Sequence, residues 1–101
     1  MQKTIAIDFD GVVHKYSEGW KDGTCYDIPV DGSLEALNRL KRKGYNIIIF
    51  TAREDIGAVQ WWFEGHAGWV PEVTNRKPIA TAYIDDRGIR FTNWNDILNY
   101  F

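Results

Sequence analysis

Residues 4–11 read TIAIDFDG, and this stretch decides the fold. Thr4, Ile5, Ala6 and Ile7 run without a polar break into two aspartates separated by one phenylalanine. A run that is apolar at consecutive positions, rather than alternate ones, describes a strand buried on both faces, as in the middle of a parallel sheet. Residues 46–51 (NIIIFT) repeat the pattern. Between the two runs, Leu34, Leu37 and Leu40 recur among Glu35, Arg39, Lys41 and Arg42. That spacing predicts an amphipathic crossover helix with one apolar stripe. Asp31 or Ser33 can cap its start, and Gly44 can end it in a left-handed conformation. Strand, helix and strand in this order define an α/β class.

Working outward, Ile56, Val59, Trp62 and Phe63 share a face of a second helix, predicted from near residue 54 to about residue 65. Residues 81–84 (TAYI) read as a third buried strand that ends at Asp85 and Asp86, and 89–91 as a short edge strand. The segment around Val73 is a further pairing candidate. Asn93 can cap a last helix carrying Ile97, Leu98 and Phe101. Mixed polarity and glycines mark 10–30 as a loop or small hairpin. The expectation is a Rossmann-like three-layer sandwich with a mainly parallel sheet of about five strands, in one domain spanning 1–101, with 11–30 as a flap.

Composition narrows the function classes. The chain has 101 residues, 45% hydrophobic and 26% charged, a balance that excludes disordered and membrane-spanning classes. No apolar stretch approaches the ~20 residues of a membrane span. Twelve Lys and Arg against fourteen Asp and Glu leave a net charge of −2, so no global basic field draws the protein to nucleic acid. Cys25, the one cysteine, cannot form an internal disulfide, and nothing at 1–14 reads as a signal peptide. A cytoplasmic location is expected.

Asp8 and Asp10 close the first predicted strand, Thr51 the second, and Asp85 with Asp86 the third. Ligands of open α/β sheets bind at those carboxyl ends. Carboxylates converging without a counter-ion repel, and a bound divalent cation removes the conflict. An oxygen-only donor set favours a hard ion such as Mg2+, which takes one or two carboxylates, water and substrate phosphate. Lys77 can add a compact positive charge for that phosphate, with adjacent Arg76 as its competitor for the role.

These residues also carry a likeness. IAIDFDGVVH at 5–14, IIIFTAR at 47–53, Lys77, and AYIDDR at 82–87 resemble the four ordered motifs of the haloacid dehalogenase (HAD) superfamily of phosphotransferases. The resemblance implies a Rossmann-like core and a magnesium-dependent phosphatase. Asp8 would attack phosphorus to form an aspartyl-phosphate. Asp10 would be general acid and base, with a raised pKa for the first step. Thr51 and Lys77 would hold the phosphoryl group. The metal would sit on Asp8, the Asp10 backbone carbonyl, Asp85 and, directly or through water, Asp86. An acid at Asp10 argues for phosphatase over dehalogenase chemistry. Val12 departs from the pattern, because many members carry Thr there and use its hydroxyl to fix the loop.

Arg53 follows Thr51 by two residues, as in the similar segment of the phosphatase half of phage polynucleotide kinase-phosphatases. There it would grip phosphate or substrate; the plainer reading pairs it with Glu54 or Asp55. His14 and His66 show no partner pattern and read as loop residues. Trp62 falls on the core face, whereas Trp61 reads as surface or a subunit contact. A phosphoacceptor receiver domain, which uses similar groups in another order, and an inactive binding module are the alternatives. The gaps between motifs hold no cap domain. An open site admits a small metabolite, a nucleotide, a nucleic-acid end or a phosphoprotein, and Lys15, Lys21, Arg53, Arg76 and Arg87 are candidates for a basic rim. A second copy of the chain is one candidate for closing the site, and the flap with Tyr16, Trp20 and Tyr26 is the expected determinant of substrate.

Overall fold

The two apolar runs lie side by side. In the computed structural model, which describes residues 2–85 and 88–101, β1 (Thr4–Asp8) pairs in parallel with β2 (Asn46–Phe50), Thr4 opposite Asn46 and Asp8 opposite Phe50. β3 (Glu72–Thr74) adds to the outer side of β2. On the other side of β1 come β4 (Ala82–Asp85) and the two-residue β5 (Ile89–Arg90). The strand order is β3-β2-β1-β4-β5 and all four pairings are parallel. This is an α/β Rossmann-like sandwich. Asp86 and Arg87 lie outside the described residues.

The chain steps outward from β1 through β2 to β3 and then returns to the opposite side of β1 for β4. The reversal puts the topological switch point between β1 and β4, where sheets of this kind leave a crevice at the carboxyl ends. Ile5, Ile7, Ile49 and Ile84 are fully buried in one cluster with Leu37, Leu40, Val59, Phe63 and Ile97 from the helices. Each such side chain contributes about 2–3 kcal/mol relative to exposure. Ala6 and Ile48, at the alternate positions, are nearly as buried, so both faces of the central strands are covered.

Helix α1 (Ser33–Arg42) buries Ala36, Leu37 and Leu40. Its start corrects the sequence expectation, because neither Asp31 nor Ser33 caps it. Gly32 holds the N-cap position with φ 77° and no side-chain bond. Ser33 is drawn inward instead, its hydroxyl donating to the Val13 carbonyl at 3.5 Å. Gly44, with φ 94°, follows the helix as expected. Helix α2 (Ile56–Ala67) begins and ends about two residues later than the periodicity predicts. The Asp55 carboxylate accepts the Ala58 N–H at 3.2 Å and fixes its start, and Gly68 with φ 75° stops it. Asn93 caps α3 (Trp94–Leu98) through the Asp96 N–H at 2.9 Å. Trp62 is core and Trp61 is exposed. Among the described residues no helix is long and apolar enough to cross a membrane.

Candidate active site

Three strand ends meet at the switch point. Ile7 pairs with Ile84, so Asp8 and Asp85 are the next positions on neighbouring strands, with backbones about 5 Å apart. Asp8 Oδ1 accepts the Phe9 N–H at 2.9 Å, and Asp85 Oδ1 accepts the Gly88 N–H at 2.7 Å. Each carboxylate is held by an amide just downstream. Glycine is required at 88, since a Cβ there would run into the Tyr83 carbonyl. Thr51 follows Phe50, the partner of Asp8. It is 1% exposed, donates its N–H to the Thr74 carbonyl at 3.0 Å, and accepts the Arg53 N–H on Oγ1 at 3.1 Å.

Past Asp8 the chain turns sharply. The Phe9 carbonyl takes the amides of Val12, Val13 and His14 at 3.3, 2.9 and 2.9 Å, a turn that needs the left-handed φ of 82° at Gly11. The Val12 carbonyl accepts Trp94 Nε1–H at 3.0 Å. The loop that lacks a threonine hydroxyl at Val12 is thereby tied to α3 by an indole.

Asp10 is held by two side chains, Arg53 and His14. Arg53 donates Nε–H to Oδ2 and Nη2–H to Oδ1, both at 3.0 Å. His14 Nδ1 lies 2.9 Å from Oδ1. The Asp27 N–H donates to His14 Nε2 at 3.0 Å, so Nε2 bears the lone pair and the proton belongs on Nδ1, aimed at Asp10. Partial burial pushes the Asp10 carboxyl up, but the hydrogen bonds from His14 and Arg53 and the charge of Arg53 outweigh it and hold the pKa below its ordinary value. The raised pKa implied for an acid at this position is therefore not what its surroundings produce.

Two expectations change here. Arg53 pairs with Asp10 rather than with Glu54 or Asp55, because its side chain folds inward, only 5% of the residue remaining exposed. His14 is a fully buried connector, stacked on Phe9 with ring centroids 5.0 Å apart. Its spacing four residues after Asp10 was the available signal, and only the turn at Gly11 gives that spacing meaning.

The flap closes over this pair. Lys15 N–H reaches the Ile28 carbonyl at 2.9 Å and Val30 N–H the Val13 carbonyl at 2.8 Å, forming a short stem for the expected hairpin. Arg53 Nη1–H donates to the Gly23 carbonyl at 2.7 Å, and Trp62 Nε1–H to the Asp27 carbonyl at 2.9 Å. Ser17 holds the Asp27 carboxylate through its N–H and hydroxyl. A cleft of about 610 Å³ remains between the flap and the β2–α2 link, bordered by Asp10 and Arg53.

Lys77 is exposed and lays its ammonium over the Tyr83 ring at 4.7 Å. Arg76, also exposed, donates its N–H to Thr74 Oγ1 at 3.1 Å. Lys21 pairs with Glu18 at 2.9 Å and sits over Tyr26. Of the basic rim, Arg53 is turned inward and Arg87 lies outside the described residues. Cys25 is a free thiol that burial pushes up.

Among the described residues no group of three or more His, Cys, Asp or Glu side chains gathers in a metal-binding arrangement. Asp8 and Asp85, registered across β1 and β4, nevertheless match the donor chemistry of a hard ion that takes two carboxylates and water. Asp86, the other acid of the expected set, lies outside the described residues.

No family model matches the chain, and no curated protein matches it. A solved structure of a conserved protein from Bacteroides thetaiotaomicron is similar, with a TM-score of 0.72 and 23% identity over 96% of this chain and 87% of that one. At that identity the likeness concerns the fold.

Proposed function

We propose that the chain is a magnesium-dependent phosphomonoester hydrolase of the HAD superfamily, working through Asp8. The observation that carries this reading is the registered pair Asp8 and Asp85 at the switch point, with Thr51 on the next strand end. In the first step an Asp8 oxygen forms a bond to phosphorus, the ester P–O bond breaks, and the leaving oxygen takes a proton from Asp10. In the second, water attacks the aspartyl-phosphate, its proton passes to Asp10, and phosphate leaves with Asp8 restored. Asp8, Asp85 and the Asp10 carbonyl would hold magnesium, which when bound neutralises charge on the phosphoryl group. The Thr51 hydroxyl orients that group. Lys77 is assigned the same task by motif order, which requires its ammonium to leave the Tyr83 ring.

His14 and Arg53 favour the anionic form of Asp10. That suits the base step and opposes the acid step, so phosphates with good leaving groups are expected to turn over fastest. The test is phosphate release from p-nitrophenyl phosphate with magnesium. Asp8→Asn is expected to reduce it at least about a thousandfold, and chelator to remove it. Activity that survives either treatment refutes the mechanism, and stable labelling by a small phosphodonor without turnover indicates a receiver instead.

A further inference from the structure

The cleft beside Asp10 has a composition that selects a leaving group. Its flap wall carries Tyr16 and Trp20, and its other wall Arg53, Glu54 and Asp55. Trp20 is 64% exposed, although an indole of this size is normally covered. It stands on the Arg53 guanidinium at 5.5 Å, with Tyr16 on the same group at 5.7 Å. Tyr16 has φ 57°, the left-handed region that a bulky side chain seldom occupies. Among the described residues it is the one non-glycine so placed, and such strain concentrates where a side chain is held for a ligand. Among the described residues Arg53 is the one cation lining the cleft, and its charge is already met by Asp10. Among the described residues, Glu54 and Asp55 leave the lining with an excess of negative charge.

Asp10, the group assigned to protonate the leaving oxygen, borders this space, and that shared residue directs the leaving group of a phosphate on Asp8 toward the cleft. The aromatic wall suits a flat ring, the volume exceeds that of a single phenyl group, and the uncompensated acids disfavour further phosphates while accepting N–H donors. We propose that the cleft takes the base of a mononucleotide, with Trp20 as its stacking platform, so that the substrate is a nucleoside monophosphate rather than a nucleic-acid end or a phosphoprotein. This rests on the phosphatase reading above for turnover, but not for binding.

The test compares adenosine 5′-monophosphate with ribose 5-phosphate, which share leaving oxygen and charge and differ by the base. kcat/KM is expected to favour the nucleotide by about tenfold or more, the value of one base–aromatic stack. Trp20→Leu should erase that preference, whereas Trp61→Leu, which removes a still more exposed indole from outside the cleft, should retain it. Equal kcat/KM on the two substrates, or a preference that survives Trp20→Leu, overturns the proposal. So does a 5′-phosphorylated trinucleotide that outperforms the mononucleotide, since the acids are then not discriminating. Binding is read separately, as quenching of tryptophan fluorescence by adenosine 5′-monophosphate in Asp8→Asn and its loss in Asp8→Asn/Trp20→Leu. Trp20-dependent quenching without phosphate release from any substrate upholds the cleft and refutes the phosphatase. Release without Trp20-dependent quenching does the reverse.

Discussion

The strand-end shelf and the flap sit on either side of Asp10 and are built by opposite means. On the shelf, Asp8, Thr51 and Asp85 are positioned by backbone ladders between strands buried on both faces. In the flap, 15–28 is held by side chains that reach main-chain groups far along the sequence. Arg53 reaches Gly23, Trp62 reaches Asp27, and His14 receives the Asp27 amide. The shelf's geometry is over-determined by packing. The flap hangs on a few polar contacts, each worth about 1–3 kcal/mol, so the two regions should fail separately.

Ile49→Ala, at the heart of β2, removes shared packing and is expected to cost about 4 kcal/mol in denaturant unfolding, with amide exchange accelerated in both regions. Exchange that rises in the strands alone would mean that the flap folds without the sheet. Arg53→Leu leaves Asp10 with half its partners and frees the Gly23 carbonyl, for about 3 kcal/mol. Here the flap amides should exchange faster than those of β1 and β2, and parity between them would erase the distinction drawn above. His14→Phe keeps the ring on Phe9 but strands the Asp27 amide, for about 2 kcal/mol, with the same flap-weighted exchange.

The smallest effect is with pH. Hydrogen bonds from Ser17, and then from the Ile28 amide, lower the Asp27 carboxyl from 3.8 to about 2. A depressed carboxyl stabilises the folded state above its unfolded pKa, and that contribution is lost as pH falls through the folded value. The Ser17–Asp27 clasp should therefore hold from neutral pH to about 4 and open between there and about 2. Carboxyl chemical shifts followed by NMR measure this, and Ser17→Ala should return the Asp27 midpoint toward its ordinary value.

The shelf was legible in the sequence because its signal is local. Consecutive apolar residues specify a doubly buried strand, and the polar residues that end TIAI, NIIIF and AYI mark the carboxyl edge. The late start of α2 was not legible, since it depends on whether Asp55 caps or extends the helix, and both are chemically reasonable. The pairing of Arg53 with Asp10 spans 43 positions. It competes on paper with two nearer acids, and only the turn at Gly11, which aims Asp10 across toward the β2–α2 link, decides between them. His14 illustrates the same point. Its role depends on a backbone amide at Asp27, and amides leave no mark in a sequence.

β1 has a further consequence. It is synthesised before either neighbour, yet it lies at the centre of the sheet, and its second edge is covered only when Ile5, Ala6 and Ile7 meet Ala82, Tyr83 and Ile84. Until residue 84 has left the ribosome, one side of TIAI remains an open β-edge. Such edges invite pairing with another chain, and contacts this distant in sequence close slowly. During translation the strand that carries Asp8 is thus exposed along one edge to pairing with another chain until β4 arrives.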